Sequence, residues 1–296
     1  MSSGYDGRVA VTIAVSLKVN DGVVLAADSA STLAGTDDQG NVSVMNVYDN
    51  ANKIVNLVKG TPLGVMAWGA GAIGPSSVST LFKDLRSMFT GSMPGPGGED
   101  WKVNPEALDV GDVAEKVKRY IFDDLYTQRI GAGPGSPEMG MIVVGYSSGS
   151  EHAEEHQVIV KPGGVCDGVE RVRPGAESGF SVGGQPEAIA RLFMGVDSRM
   201  PQVLEEALGV PSDQSAAVTQ VLQQHLQAPV LHEAMPFKDA LDLAHFMVET
   251  TIKMTRFMPG AATVGGPIEV AGITKHEGFK WVQRKHYFHT DLNPKE

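Results

Sequence analysis

The stretch Thr12–Ser29, TIAVSLKVNDGVVLAADS, decides the fold of this 296-residue chain. Two apolar runs flank an Asp-Gly dipeptide at 21–22, an arrangement that predicts a β-hairpin. Because a hairpin returns the chain, we expect Asp28, which ends the second run, to lie near Thr12, which starts the first. Lys53 then opens another apolar run. A threonine, an aspartate and a lysine in this order are the residue types that a threonine-nucleophile hydrolase requires.

The composition limits the class of protein. With 42% hydrophobic and 20% charged residues, the chain has the composition of a globular protein with a substantial core. A net charge of −11 argues against nucleic-acid binding, which needs clustered basic side chains. Cys166 is the single cysteine, which excludes an intramolecular disulfide and indicates a reducing compartment. No segment reaches the roughly 18 apolar residues of a membrane span, so we expect a cytoplasmic protein with neither membrane nor nucleic-acid partners.

Hydrophobic periodicity divides the chain into blocks of strands and helices. Apolar runs predict strands at 9–18, 22–27, 53–58, 63–68, 139–146, 157–161, 168–173, 267–275 and 279–287. Helical spacing predicts helices at 78–89 and 113–125 and others starting near 186 and 236, with extra helices within 197–235. A short hairpin is predicted at 41–47. Grouped strands favour an α+β fold with antiparallel or mixed layers over a Rossmann-type alternation.

The first candidate site combines Thr12, Asp28 and Lys53. A threonine hydroxyl is a weak nucleophile, but an N-terminal threonine carries its own base in its α-amine, whose pKa is about 8. Lys53 would stabilise developing negative charge, and Asp28 would neutralise and orient Lys53. The alternative is a strand threonine, a turn aspartate and a surface lysine without a shared role, and spacing alone favours that alternative.

Two further motifs suggest other chemistry. Gly145–Gly149, GYSSG, matches the G-x-S-x-G nucleophile elbow with Ser147 as the nucleophile. An elbow requires a helix directly after its serine, and a polar turn followed by another strand fits the next residues better. His152 and His156 have a spacing that could hold a metal on a helix, but the H-E-x-x-H motif is absent and a charged loop is expected there. We therefore expect no metal site.

Glycine-rich turns offer backbone donors for an oxyanion. Trp68-Gly69-Ala-Gly71 follows a predicted strand and precedes a predicted helix, where N–H groups can bind negative charge. Neither this segment nor the later Ser181–Gly184 matches G-x-G-x-x-G or a P-loop, so we expect no nucleotide or other cofactor.

Taken together, these residues resemble the proteasome β-subunit family of N-terminal nucleophile (Ntn) hydrolases, which includes bacterial proteasome-type proteases. The resemblance spans nearly the whole chain and is specific in its first half. The segments that carry it are Thr12–Ala30, Asn52-Lys53-Ile54, Leu63–Gly71 (LGVMAWGAG), Phe180–Gly184 (FSVGG) and Gly265-Gly266.

The resemblance implies a four-layer αββα sandwich, with two antiparallel sheets between helical layers. It implies Thr12 as nucleophile, Asp28 as partner of Lys53, Lys53 as electrostatic helper, and the backbone N–H of Trp68 or Gly69 as oxyanion donor. The substrate would be an extended polypeptide cleaved through an acyl-enzyme ester. The chain would form a homo-oligomer, as a ring or helical stack, with an ATPase or other regulator unidentified.

The implied domain organisation is a leader at 1–11 and one domain at 12–296, with insertions near 32–50, 90–108 and 197–235. Several positions depart from the family pattern. Val11 precedes Thr12 where the family has glycine, and a β-branched residue crowds the carbonyl that the hydroxyl must attack. Trp68 stands where family members usually have glycine. Gly184, Ala261 and Val264 replace polar residues expected near the site.

The sequence thus supports two main functions and a remote third. The first is a threonine endopeptidase with Thr12 as its N-terminal nucleophile, active only if the bond between Val11 and Thr12 is cut. The second is a catalytically inactive scaffold that uses the same fold to assemble. The third is a serine hydrolase that uses Ser147.

Overall fold

A computed structural model describes residues 12–36, 42–286 and 289. The predicted leader at 1–11 lies outside the described residues, as do parts of the predicted insertion at 32–50. The strands are β1 Ile13–Val19, β2 Gly22–Ala27, β3 Ser31–Thr36, β4 Val42–Tyr48, β5 Ile54–Asn56, β6 Leu63–Gly69, β7 Ala72–Ile73, β8 Ser76–Ser77, β9 Met139–Gly145, β10 Glu154–Lys161, β11 Val165–Arg171, β12 Gly179–Gly184, β13 Glu269–Thr274 and β14 Gly278–Gln283.

The helices are α1 Val78–Phe89, α2 Val110–Lys118, α3 Thr127–Arg129, α4 Glu187–Phe193, α5 Met200–Leu208, α6 Ser212–Leu226 and α7 Phe237–Phe257. A π-helical stretch, Arg119–Tyr126, joins α2 to α3, and two 3₁₀ turns lie at Pro96–Gly98 and Pro105–Ala107. Among the described residues, none of the helices has both the length and the apolar character needed to cross a lipid bilayer.

Most strands belong to two five-stranded sheets in which every neighbouring pair is antiparallel. The first sheet has the order β12-β1-β2-β13-β14, and the second has the order β11-β10-β9-β6-β5. The α+β class is therefore confirmed. The strands β3 and β4 form a separate hairpin, which is longer than the one predicted at 41–47.

The opening hairpin forms as expected, but its turn is one residue earlier than predicted. Val19 pairs with Gly22, so the two-residue loop is Asn20-Asp21 and Gly22 is the first residue of β2. Gly22 is required by packing, because a Cβ there would lie 2.4 Å from the carbonyl oxygen of Ile273 on the neighbouring β13.

Helices pack against both sheets. Side chains of α1 and α2 form one apolar cluster with the second sheet, and side chains of α4 and α7 form another with the first sheet. The helices contribute apolar residues at helical spacing to these two clusters, such as Leu81 and Leu85 on α1 and Ala240 and Val248 on α7. A third cluster lies between the sheets, where Leu25 and other residues of the first sheet meet residues of the second. The central strands β1, β2 and β9 are therefore buried along their whole length, whereas the edge strands β11 and β14 are partly exposed.

A buried ion pair also joins the two sheets. Glu155 on β10 is inaccessible to solvent and accepts two hydrogen bonds from the guanidinium of Arg173, at 2.7 and 2.6 Å. Ser16 on β1 donates to the same carboxylate at 2.5 Å, and Arg173 donates to Ser181 on β12 at 2.9 Å. The first sheet is thereby tied to the second through a fully hydrogen-bonded charge cluster.

We expect Arg173→Met to lower the free energy of unfolding by about 3–5 kcal/mol, because it leaves the buried charge of Glu155 without its partner. The matched control is Arg171→Met, since Arg171 is 45% exposed and lies 3.7 Å from Glu154. That control should cost at most about 1 kcal/mol. Urea denaturation measures both, and equal losses in the two variants would contradict the importance of the buried pair.

Candidate active site

The structure brings the three predicted site residues together at the ends of strands. Thr12 directly precedes β1, Asp28 directly follows β2, and Lys53 directly precedes β5. The hairpin register, in which Ala14 pairs with Ala27, places Thr12 beside Asp28. Lys53 comes from the second sheet, so its approach depends on the packing of one sheet against the other.

The three side chains form a hydrogen-bonded cluster. The hydroxyl of Thr12 donates to Asp28 Oδ1 at 2.7 Å, and Lys53 Nζ donates both to this hydroxyl and to Asp28 Oδ1. Thr12 is 1% exposed, Asp28 is fully buried, and the side chain of Lys53 is 11% exposed. The hydroxyl thus lies between a negative and a positive charge in a region shielded from water.

Asp28 is the centre of the cluster. Its Oδ1 also accepts a hydrogen bond from the backbone N–H of Ile13 at 3.1 Å. Its Oδ2 accepts from the N–H groups of Ala30 at 3.1 Å and Gly265 at 3.0 Å. Gly265 belongs to the glycine pair that carried the resemblance, but its contact with Asp28 was not predicted.

The environment of Lys53 lowers the pKa of its ammonium group. Burial is the main cause, because removal from water disfavours the charged form. The charge and hydrogen bond of Asp28 oppose this effect, while the positive charge of Lys285 adds to it. Lys53 is therefore closer to neutrality near physiological pH than an exposed lysine is.

Sequence reasoning missed a second charged pair behind the first. Lys285, just after β14, lies 3.1 Å from Glu269 at the start of β13. It also donates to Ser29, the neighbour of Asp28, at 2.5 Å. No sequence motif marks Lys285, and its role depends on strands that pair across most of the chain length.

Strand geometry distinguishes the two predicted oxyanion donors. Ala67 N–H donates to the carbonyl of Lys53, whereas Ala70 N–H donates to Glu138 next to β9. Because successive N–H groups along a strand point to opposite sides, Gly69 N–H points to the side of Lys53 and Trp68 N–H points to β9. The orientation favours Gly69 as the donor facing the cluster.

The indole of Trp68 lies between the two sheets. A Cβ at Gly140 on β9 or at Gly183 on β12 would come within 2.1 or 2.3 Å of the ring. The ring therefore occupies the space left by two glycines that face each other across the sheets. Its bulk is accommodated there by the absence of side chains at both positions.

Gly184 contacts Thr12 too closely for any side chain. Its φ is +89°, and a Cβ would lie 2.0 Å from the carbonyl oxygen of Thr12. The next residue, Gln185, donates its N–H to the same carbonyl at 2.8 Å. A serine at 184, as in the family pattern, does not fit this backbone. Val264 is a buried core residue next to Gly265.

The two alternative motifs remain apart from this cluster. Ser147 lies in the loop after β9, where its hydroxyl accepts a hydrogen bond from Val110 N–H at 3.1 Å, and the next element is the strand β10. His156 lies on β10 and contacts Glu154 at 3.1 Å. Within the described residues, no group of three His, Cys, Asp or Glu side chains could hold a metal ion.

Comparison with known proteins gives structural matches only. No protein-family model matches the chain, and no curated protein sequence matches it. Anbu from Hyphomicrobium sp. strain MC1 is similar with a TM-score of 0.50 and 13% identity, over 93% of this chain and 89% of that one. The helical assembly of the Anbu complex from Pseudomonas aeruginosa is similar with a TM-score of 0.46 and 16% identity, over 93% and 88%.

The match to the Hyphomicrobium structure corrects the family expected from sequence. The resemblance predicted a proteasome β-subunit-like Ntn hydrolase, whereas this structure, which matches over 93% of the chain, is of Anbu, so that prediction is wrong. The resemblance depended on a hairpin, a lysine and glycine turns. These features specify how the strands are arranged, and they do not distinguish between families that share this arrangement. At 13% identity, the Hyphomicrobium structure shows a shared fold and nothing about activity.

Proposed function

We propose that this chain is a threonine peptidase in which Thr12 becomes the N-terminal nucleophile after removal of residues 1–11. The observation that carries the proposal is the buried contact of the Thr12 hydroxyl with both Asp28 and Lys53. A strand threonine, a turn aspartate and a surface lysine without a common role would not converge on one oxygen in the interior.

The reaction would proceed through an ester on Thr12. The hydroxyl oxygen attacks the carbonyl carbon of the peptide bond while its proton passes to the α-amine of residue 12. The C–N bond of the tetrahedral intermediate then breaks, and the leaving amine takes the proton. A water molecule, deprotonated by the same α-amine, then attacks the ester carbon. The bond between this carbon and the Thr12 oxygen breaks, the oxygen takes the proton back from the amine, and the carboxylic acid product leaves.

The surrounding groups would stabilise the charges that form. Lys53 donates to the attacking oxygen, and Asp28 holds Lys53 in place. Gly69 is proposed as the oxyanion donor because its N–H points to the side of Lys53. A preorganised N–H in a site shielded from water stabilises a tetrahedral intermediate without reorganisation during the reaction.

We also propose the finer fold and domain organisation. The three apolar clusters support a four-layer αββα sandwich for residues 12–296, with α1 and α2 on one side and α4 and α7 on the other. The β3–β4 hairpin, the turns around Trp101 and the helices α5 and α6 would be insertions into this sandwich. The single cysteine supports a cytoplasmic location.

A second candidate is a scaffold without catalytic activity. The observation that favours it is the 1% exposure of Thr12, since a buried hydroxyl cannot reach a substrate carbonyl. In the peptidase, removal of residues 1–11 would free the α-amine of Thr12. The two functions therefore differ in whether the bond between Val11 and Thr12 is cut.

We expect intact-mass spectrometry of the purified protein to show loss of residues 1–11, because a free α-amine on Thr12 is the proposed base. Thr12→Ala should retain the leader and abolish hydrolysis of fluorogenic peptides. Ser147→Ala is the matched control and should leave both unchanged. An intact wild-type chain would rule out the threonine-amine mechanism, and hydrolysis that survives in Thr12→Ala would require another nucleophile.

We expect Lys53→Met to reduce kcat by about 10²–10⁴, the range for loss of a group that assists proton transfer or charge stabilisation. Lys83→Met, on the exposed face of α1, is the control and should retain wild-type kcat. Single-turnover kinetics with a fluorogenic peptide measures both. Equal rates in the two variants would exclude Lys53 from the chemistry.

We further propose that the chain forms a homo-oligomer that acts on polypeptides. Large apolar side chains remain exposed at the ends of helices, including Leu208 at 70% and Phe257 at 83%, which supports burial against another copy. Sedimentation equilibrium at micromolar concentration should give a multiple of the mass of one chain. A monomer under these conditions would contradict the assembly.

A further inference from the structure

Lys285 joins the two segments that carry Asp28 and Lys53. Its ammonium group donates to Ser29 Oγ at 2.5 Å and to the carbonyl of Ala51 at 2.7 Å, and it lies 3.1 Å from Glu269 Oε2. Ser29 is adjacent to Asp28, and Ala51 is two residues before Lys53. Two of the three N–H donors of this lysine thus have hydrogen-bond acceptors, and the Glu269 carboxylate lies at ion-pair distance.

These contacts reinforce a direct link between the same segments. Ala51 N–H donates to the carbonyl of Ser29 at 2.9 Å, and Ser29 Oγ donates to the carbonyl of Pro267 at 2.5 Å. Lys285 therefore lies where the residues after β2, those before β5 and those before β13 meet. Lys285, near the C-terminal end of the described chain, thus contacts the segments that hold Asp28 and Lys53 beside Thr12.

We propose that Lys285 is a positioning residue, which fixes Lys53 against Asp28 and, together with Glu269, sets the electrostatic environment of Lys53. A catalytic role of Lys285 rests on the peptidase function proposed above. The geometry itself, with two lysines and two carboxylates in one buried group, does not depend on that function.

Each charge in this group acts on Lys53 with a definite sign. Asp28 and Glu269 favour the protonated form of Lys53 and raise its pKa, whereas Lys285 disfavours that form and lowers the pKa. Lys285 itself faces Glu269, Asp28 and Arg284, and burial lowers the pKa of its own ammonium. Loss of Lys285 and loss of Glu269 should therefore move the pKa of Lys53 in opposite directions.

The pKa of Lys53 can be measured without any peptidase activity. The full-length protein is labelled with acetic anhydride across a pH series, and acetylation of Lys53 is quantified by peptide mass spectrometry. Only the neutral amine reacts, so the pH at half-maximal labelling reports the pKa. Variants are compared with wild type and with Lys280→Met, a control at an exposed position of β14.

Lys285→Met should raise the pKa of Lys53 and so lower the fraction of Lys53 that is labelled at a pH below that pKa. Glu269→Gln should lower this pKa, and Lys285→Arg and Lys280→Met should leave it near the wild-type value. The double variant Lys285→Met with Glu269→Gln should lie between the two single variants. It also avoids an uncompensated buried carboxylate, so it keeps the test open if Lys285→Met alone does not fold.

The outcomes separate this inference from the peptidase proposal. Opposite shifts in the two single variants support the inference even in a protein that hydrolyses no peptide. Shifts of the same sign, or none, overturn it even in an active enzyme, because disruption of the fold would move both variants alike. In an active enzyme, the pH profile of kcat in each variant should shift in the same direction as the Lys53 pKa. The pH profile of Lys285→Arg should match that of the wild type.

Discussion

The site depends on one buried carboxylate. Asp28 is fully buried and accepts hydrogen bonds from Thr12, Lys53 and three backbone N–H groups. A negative charge is stable in the interior only when such donors surround it. The donors come from β1, from the turn after β2, from the segment before β5 and from the segment before β13. These parts of the chain must therefore be in place together before Asp28 is satisfied.

The same requirement explains why the cations accumulate around this point. Lys53 comes from the second sheet and Lys285 follows β14, yet both approach carboxylates at the strand ends of the first sheet. Two lysines repel each other, so each needs a carboxylate, and Glu269 supplies the second. The resulting alternation of charge keeps Lys53 close to the Thr12 hydroxyl, while burial lowers the pKa of the Lys53 ammonium group.

Local pattern was enough to predict the first half of the site. The β1–β2 hairpin joins Thr12 to Asp28 within 16 residues, and alternation and turn residues determine such a short return. Lys53 was placed by its position before an apolar run. Gly265 and Lys285 were not predictable in the same way, because their contacts span 237 and 256 residues and depend on how β13 and β14 join the first sheet. The choice between the N–H groups of Trp68 and Gly69 required the register of β6, because a shift of one residue would exchange the directions of the two N–H groups.

The position of Gly184 shows how a departure from a family pattern follows from packing. Its backbone approaches the Thr12 carbonyl so closely that a side chain is excluded, and Gln185 binds the same carbonyl from the next position. The start of β1 is therefore held through its own backbone, without a serine side chain at 184. This hold fixes the backbone from which the Thr12 side chain extends. Among the described residues, the two side chains that contact the Thr12 hydroxyl, those of Asp28 and Lys53, both follow Thr12 in the chain.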